Sequence, residues 1–445
     1  MKKWMVTIVF VLFAFLAACS GGGEETAGSG DSSEGDNAES TAGSEGSEND
    51  VVEIEYWQYN YDSKVQLMDE LIKEFEEQNP NIKVTQTNFP YEQYNEKVAT
   101  LVPAGRGPDV INLYYGWVPK YVDSGFLQPL PQDPFSPEFI EEEFFPLVNA
   151  TKLDGEYWTI PTAVRTLALF YNKDLFEKAG LDAPPKTWDE LVSYAKQLTE
   201  RDENGQLVTE GMAFEPGGQL HNWFRDALVY QAGGQGVSED RKEILWDETD
   251  AGLEAFRFMM ELATKHKVGE QNFYNDDVTA FKTGNAAMNI DGSFRLGTLA
   301  NDAPDLNYGT APLPSYKEEA TQASFWTNGI VAGVEGKKLE AATKFLEFLT
   351  SKEVMERWIE EIGELPAKQD VALQDKYLND ELKGPFIKQL PVANAHFFVD
   401  EKEERELVTN AADKVLLEQA TIEEAYQELV DKTQQLFDEY WENRE

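Results

Sequence analysis

Between Val51 and Leu113 the apolar residues switch repeatedly between a strand period and a helix period, and nothing else in the sequence limits the fold as much. Val51-Val52-Glu53-Ile54-Glu55-Tyr56-Trp57 alternates as a half-buried strand does. Val65, Met68, Leu71, Ile72 and Phe75 then recur on one helical face. A Ser63/Gln66 pair has the form of a capping box at its start, and Asn79-Pro80-Asn81 stops it. A second strand is expected over 82–89, a second helix over 91–102 and, after the Gly105–Pro108 turn, a third strand over 109–113. This alternation predicts an α/β chain with a mostly parallel sheet. Ligands on such sheets sit beyond the carboxyl ends of the strands, which here are Trp57–Tyr61 and Tyr114–Trp117. Farther on, Thr187 to Glu190 opens a helix running to Thr199. Helices are also expected over 249–267, 338–349, 351–362, 403–419 and 422–442, with a strand over 286–290.

Ahead of this comes Met1-Lys2-Lys3, then an apolar run from Trp4 to Ala18. About fifteen apolar residues are short for a bilayer span and have the form of a secretory signal. Leu16-Ala17-Ala18-Cys19 resembles the bacterial lipobox. That resemblance implies cleavage before Cys19, a diacylated thiol, and a protein anchored to the cell membrane on its outer side. Cys19 is the only cysteine, so no internal disulfide can form. Residues 20–50 hold no aromatic, Lys or Arg and are rich in Gly, Ser and acids. Such a segment is expected to be a disordered tether with an average reach of about 30 Å. The chain therefore divides into a signal peptide (1–18), a lipidated Cys with its tether (19–50), and a folded part.

The formal net charge is −44, from 82 acidic and 38 basic side chains. A field of that sign excludes nucleic acid and anionic membrane surfaces as partners and weighs against a strongly anionic cargo. It reads as a solvated surface suited to salt or alkaline surroundings. Nearly 400 residues exceed what one core holds, so two lobes are expected. The folded part has no G-x-S-x-G elbow and no H-E-x-x-H, and His221, His266 and His396 lie far apart. An enzyme is not expected. A glycan hydrolase using a carboxylate pair is the remaining catalytic possibility.

Several strings, in order along the folded part, resemble the extracellular solute-binding proteins of ABC importers, of the maltose- and multiple-sugar-binding type. They are Ile54-Glu55-Tyr56-Trp57, Phe75 through Val84 with its Asn79-Pro80, Gly107-Pro108-Asp109-Val110 and Tyr157-Trp158-Thr159-Ile160-Pro161. Tyr171-Asn172-Lys173-Asp174-Leu175-Phe176, Pro184 through Leu191, and Gly284 through Met288 with Asp291-Gly292 continue the series. The resemblance implies a two-lobed, periplasmic-binding-protein-like α/β fold with a hinge and an interlobe ligand cleft. It sets the crossings near 161–165, 312–316 and 363–366. Lobe 1 would be 51–163 plus 313–363, and lobe 2 would be 164–312 plus 364–445. A carbohydrate cargo, a permease partner in the membrane and a monomeric state are implied. No cofactor is implied, because the importer's ATPase is a separate subunit.

A sugar presents apolar C–H faces and a rim of hydroxyls, so its site needs aromatic platforms and a few fixed polar groups. Ten Trp and eighteen Tyr leave rings to spare from the core. Trp57 and Tyr59 end the first strand, and Tyr114, Tyr115 and Trp117 follow the third. Trp223, Phe294 and Trp326 are further candidate platforms, each of which core packing would also explain. Asp291 is a candidate hydroxyl partner or a cap. Arg165 is either a ligand contact or half of a salt bridge across the hinge. A cation there leaves open an acidic sugar phosphate as cargo, and the same fold could instead hold a polyamine or a metal complex.

Overall fold

A computed structural model describes residues 51–444. The expected signal peptide, Cys19 and tether lie outside the described residues. The described residues form one unit.

Ten strands join in one sheet: β1 (Val52–Tyr59), β2 (Ile82–Phe89), β3 (Val110–Tyr114), β4 (Leu127–Gln128), β5 (Thr159–Asn172), β6 (Met288–Gly292), β7 (Tyr308–Ala311), β8 (Thr321–Val331), β9 (Leu365–Pro366) and β10 (Ala393–Asn394). The main order is β6-β5-β8-β3-β1-β2. β1 is parallel to β2 and β3. The sheet is nevertheless mixed, because β5 and β8 run antiparallel to each other, β8 antiparallel to β3, and β5 antiparallel to β6 and β7. The expectation of a mostly parallel sheet holds only around β1 and in the short β8–β10 pairing. The first hundred residues carry the βαβ signal, and they do not foretell the two long strands laid in later.

Those two strands organise the molecule. β5 reads TIPTAVRTLALFYN and is buried along almost its whole length, as a strand covered on both faces must be. Its residues 159–166 pair with β8, and its residues 167–172 pair with β6 and β7. β5 thus changes neighbours between Thr166 and Leu167 and passes from one half of the molecule to the other. β8 pairs with β10 at Thr321–Gln322, with β5 from Ala323, and with β3 from Trp326 to Ile330. Residues 312–316 lie on the β6–β7 side: Ser315 N donates to Lys186 O at 2.9 Å and Leu313 N to Gln389 Oε1 at 3.0 Å. The passage toward β3 is made along β8 itself. A bulge interrupts the β5–β8 register between Trp326 and Asn328.

On the β1 side, α1 (Asp62–Gln78) buries Leu67, Met68, Leu71, Ile72 and Phe75 against the sheet. Phe75 meets Phe345 of α6 (Gly336–Leu349), which in turn meets Tyr56. Each such fully buried side chain contributes about 1.5–3 kcal/mol of burial. α2 (Tyr91–Leu101) follows β2. The other half carries α3 (Trp188–Leu198), α4 (Gln219–Gln231) and α5 (Ala251–Thr264), and the chain closes with α8 (Glu401–Leu416) and α9 (Ile422–Glu442), after α7 (Lys352–Arg357). A buried polar ladder ties four adjacent strands on the β1 side. Tyr56 Oη donates to Asn328 Oδ1 at 3.2 Å, Asn112 Nδ2 to the same oxygen at 2.9 Å, and Asn328 Nδ2 to Thr162 Oγ1 at 3.3 Å.

Candidate functional site

The carboxyl ends of β1 and β3 and the bulged stretch of β8 bring aromatic rings together. Trp326 is the centre. Its ring lies 3.9 Å from Tyr59, 5.3 Å from Trp117 and 6.2 Å from Tyr114, measured between centroids. Tyr91 and Tyr94 on α2 stand 6.2 and 6.3 Å from it. The β8–β3 register, which pairs Trp326 with Tyr114, fixes this gathering. From the other half Trp223 of α4 faces Tyr114, with centroids 6.4 Å apart and planes at 15°.

Charged groups border the rings. Glu364, just before β9, takes Lys64 Nζ at 2.7 Å and the guanidinium of Arg165 on the same oxygen, Oε1. Trp358 Nε1 donates to its other oxygen at 2.9 Å. Burial opposes ionisation of Glu364, but Arg165 and Lys64 outweigh it and hold its pKa down at about 2. The Arg165 guanidinium lies 4.7 Å from the centre of the Phe294 ring, and that of Arg295 lies 5.4 Å from the same ring. Arg295 Nε reaches Asp291 Oδ2 at 2.5 Å. Burial pushes the Asp291 pKa up to about 6 although Arg295 pulls it down. The two halves face each other here. The Tyr91 hydroxyl, whose pKa is raised by burial, is raised further by Glu401 of α8. Arg295 senses the Tyr61 hydroxyl. Asn222 Oδ1, Ser293 Oγ and Arg225 Nε and Nη1 are buried without a hydrogen-bond partner among the described residues.

Of the residues singled out from sequence, Tyr59, Tyr114, Trp117, Trp223 and Trp326 are brought together. Arg165, Phe294 and Asp291 join the adjoining charged chain. Trp57 lies deeper on the Tyr59 face, packed on Phe89 at 4.9 Å with its indole N–H on Glu55 Oε1 at 2.7 Å. Tyr115 stacks on Phe325 at 4.6 Å and touches the Trp326 cluster only through Tyr114, 4.8 Å away. Sequence reasoning passed over Lys64, Tyr91, Tyr94, Arg295 and Glu364. Asp291 lies at the end of β6 and Arg295 opens the next helix, so neither that pair nor the partners of Glu364 were readable from a helical or strand period.

The arrangement is that of a two-lobed binding protein: rings and hydrogen-bonding groups from the two halves meet at one place, and two strands pass between the halves. Residues 61–356 match the bacterial extracellular solute-binding protein family, and the chain belongs to that family. It is 29% identical over 332 residues to a binding protein of Brucella abortus (strain 2308), covering 73% of this chain and 78% of that one. It is 25% identical over 334 residues to the maltotriose-binding protein of Pyrococcus abyssi (strain GE5 / Orsay), covering 73% and 68%. The ABC transporter solute-binding protein of Thermotoga lettingae TMO, solved with α-D-tagatose, is 27% identical and superposes with a TM-score of 0.72, covering 87% of this chain and 100% of that one.

Proposed function

We propose that this chain captures a carbohydrate outside the cell and delivers it to the permease of an ABC importer, held at the membrane by a lipid on Cys19. The observation that carries the cargo reading is the ring cluster around Trp326, set beside fixed charged and hydrogen-bonding groups between the two halves. Tyr59, Tyr114, Trp117, Trp223 and Trp326 act as platforms for sugar C–H faces, and Arg165 and Asp291 as polar partners. Trp57, Tyr115 and Phe294 support them from behind. Relatives that bind maltotriose and α-D-tagatose support the same class of cargo. Lobe 1 comprises 51–166 with 323–363, and lobe 2 comprises 167–322 with 364–445, the boundaries falling where β5 and β8 change neighbours. A ligand touching both favours the closed state by its differential affinity, and the permease reads that state.

The first test is a thermal-shift screen of the purified chain against neutral and acidic mono- and oligosaccharides. A ligand that binds only the native state raises the melting temperature by mass action. A clear rise with one sugar class is expected; no rise with any carbohydrate would sink the reading. For the anchor, Cys19→Ala is expected to release the protein into the medium. A variant that stays on the membrane through a high-salt wash would refute lipidation there.

A further inference from the structure

The rings packed on Trp326 come from one half of the molecule, but one of them, Tyr114, also meets Trp223 of the other half. Tyr114 ends β3 and Trp223 lies on α4; their centroids are 6.4 Å apart and their planes 15° from parallel. Each is 4% exposed. Tyr59 and Trp326 are buried against each other within one half and stay packed when the halves part. Opening separates Tyr114 from Trp223 and bares two facing, nearly parallel planes.

Beside Trp223 lie buried polar atoms with nothing to bond. Asn222 and Arg225, one residue before it and two after it on α4, are 7% and 3% exposed. The Asn222 amide donates to Gly218 O at 3.0 Å, which leaves its Oδ1 without a partner among the described residues. The Arg225 guanidinium lies 4.1 Å from the centre of the Trp246 ring and gives Nη2 to Asp226, leaving Nε and Nη1 without a partner there. Asn222, Trp223, Arg225, Phe398 and Glu401 border one cavity of about 20 Å³, room for a single water. Glu401 also faces the other half: the Tyr114 hydroxyl, whose pKa is raised by burial and by Tyr115, is raised further by Glu401.

The charges at this place are matched. Arg225 pairs with Asp226, Arg405 with Glu401 at 3.7 Å and His396 with Glu404 at 2.8 Å. What is left over is hydrogen-bonding capacity, not charge. A buried donor or acceptor left unpaired is costly, and a hydroxyl, which donates and accepts, completes either kind.

We propose that a neutral pyranose is seated between Tyr114 and Trp223 with its edge on Asn222, Arg225 and Glu401, and that this seat selects a ring whose C2, C3 and C4 hydroxyls are all equatorial, of glucose or xylose configuration. This rests on the reading of the cleft as a sugar site. Two flat planes leave hydrogen-bonding room only around the sugar's edge, where equatorial hydroxyls point. An axial hydroxyl points at an aromatic face and is buried there without a partner. Galactose carries one at C4 and mannose one at C2.

The test is calorimetric titration of the purified chain with D-glucose, D-xylose, D-galactose and D-mannose and with the matched disaccharide of each. A glucose or xylose member is expected to bind about tenfold or more tighter than its galactose and mannose counterparts. Trp223→Ala removes one plane, makes room for an axial hydroxyl and brings the members to within about threefold. Asn222→Ala weakens the preferred sugar about fivefold or more. Both variants are checked for folding by their melts; the series of epimers needs no variant, and Asn222→Ala, which removes little packing, decides where Trp223→Ala fails to fold. Galactose or mannose members that bind as tightly as the glucose and xylose members overturn this inference and leave the sugar reading intact. Failure of this panel while another carbohydrate raises the melting temperature does the same. Failure of every carbohydrate overturns both. A glucose or xylose preference that both substitutions leave unchanged overturns the assignment to this seat.

Discussion

Glu210 is 1% exposed, with Oε1 unpartnered among the described residues, and burial pushes its pKa up to about 9. The folded state therefore keeps a proton that the unfolded chain loses near its ordinary value of 4.5. The stability linked to this proton is fully present below about 4.5 and is lost as pH rises through about 9, at up to ~1.4 kcal/mol per pH unit. Glu210→Gln copies the protonated form. It is expected to leave the melting temperature unchanged in mild acid and raise it near pH 9; equal melts at both would mean the carboxylate is ionised in the fold. Trp326→Ala removes the ring on which Tyr59, Tyr91, Tyr94, Tyr114 and Trp117 converge. It should cost about 3–5 kcal/mol in denaturant titration and abolish the sugar-induced thermal shift. At this scale the rings at the strand ends were legible, because a strand's last residues must sit at the sheet's rim. Lys64 and Glu364 were not. They are 300 residues apart and meet only because α1 packs on the helical turn 358–362 that leads into β9.

Helices declare themselves through their caps, with unequal fidelity. Thr187 accepts from Glu190 N at 3.2 Å, and α3 begins directly after it, as the sequence suggests. Ser63 misleads. α1 begins at Asp62, and the carbonyl of Tyr61 takes the N–H groups of Lys64 and Val65 at 2.9 and 3.0 Å with no side-chain cap. The backbone closes that helix end, so a capping-box pattern that starts one residue inside it carries no weight. Packing between helices sets the firmest constraint at this scale. A Cβ on Gly252 of α5 would stand 2.1 Å from the Tyr426 hydroxyl and 2.3 Å from Trp246 O. That hydroxyl donates to the same carbonyl at 2.9 Å and ties α9 to the segment before α5. Gly252→Ala is expected to cost about 1–3 kcal/mol, read as a lower denaturation midpoint at unchanged slope. A variant as stable as the parent would show that α9 can shift freely. The direction of β5 and β8 was not legible locally, since a buried strand reads the same whichever way it runs.

Over the whole molecule, the net charge of −44 opposes compactness through self-repulsion. Added sodium chloride screens it, so the melting temperature is expected to rise by a few degrees between about 0.05 and 0.5 M. A flat or falling profile would mean that local ion pairs outweigh the global field. The two-part architecture was legible from chain length and motif order. The places where the chain changes halves were not, because pairing partners supplied by distant segments decide them.

The side-by-side pairing of β5 and β8 over residues 159–166 and 323–329, where both strands pass between the halves, carries a mechanical consequence. Two hydrogen-bonded strands resist stretching and shear in their own plane and yield mainly to bending out of it. They act as a leaf spring with a single soft axis, so the relative motion of the halves reduces to one angle. Every distance measured between labels on opposite halves then varies with that angle alone. In the proposed role, a membrane partner would need only a single gauge, the width of the mouth, to tell a filled protein from an empty one.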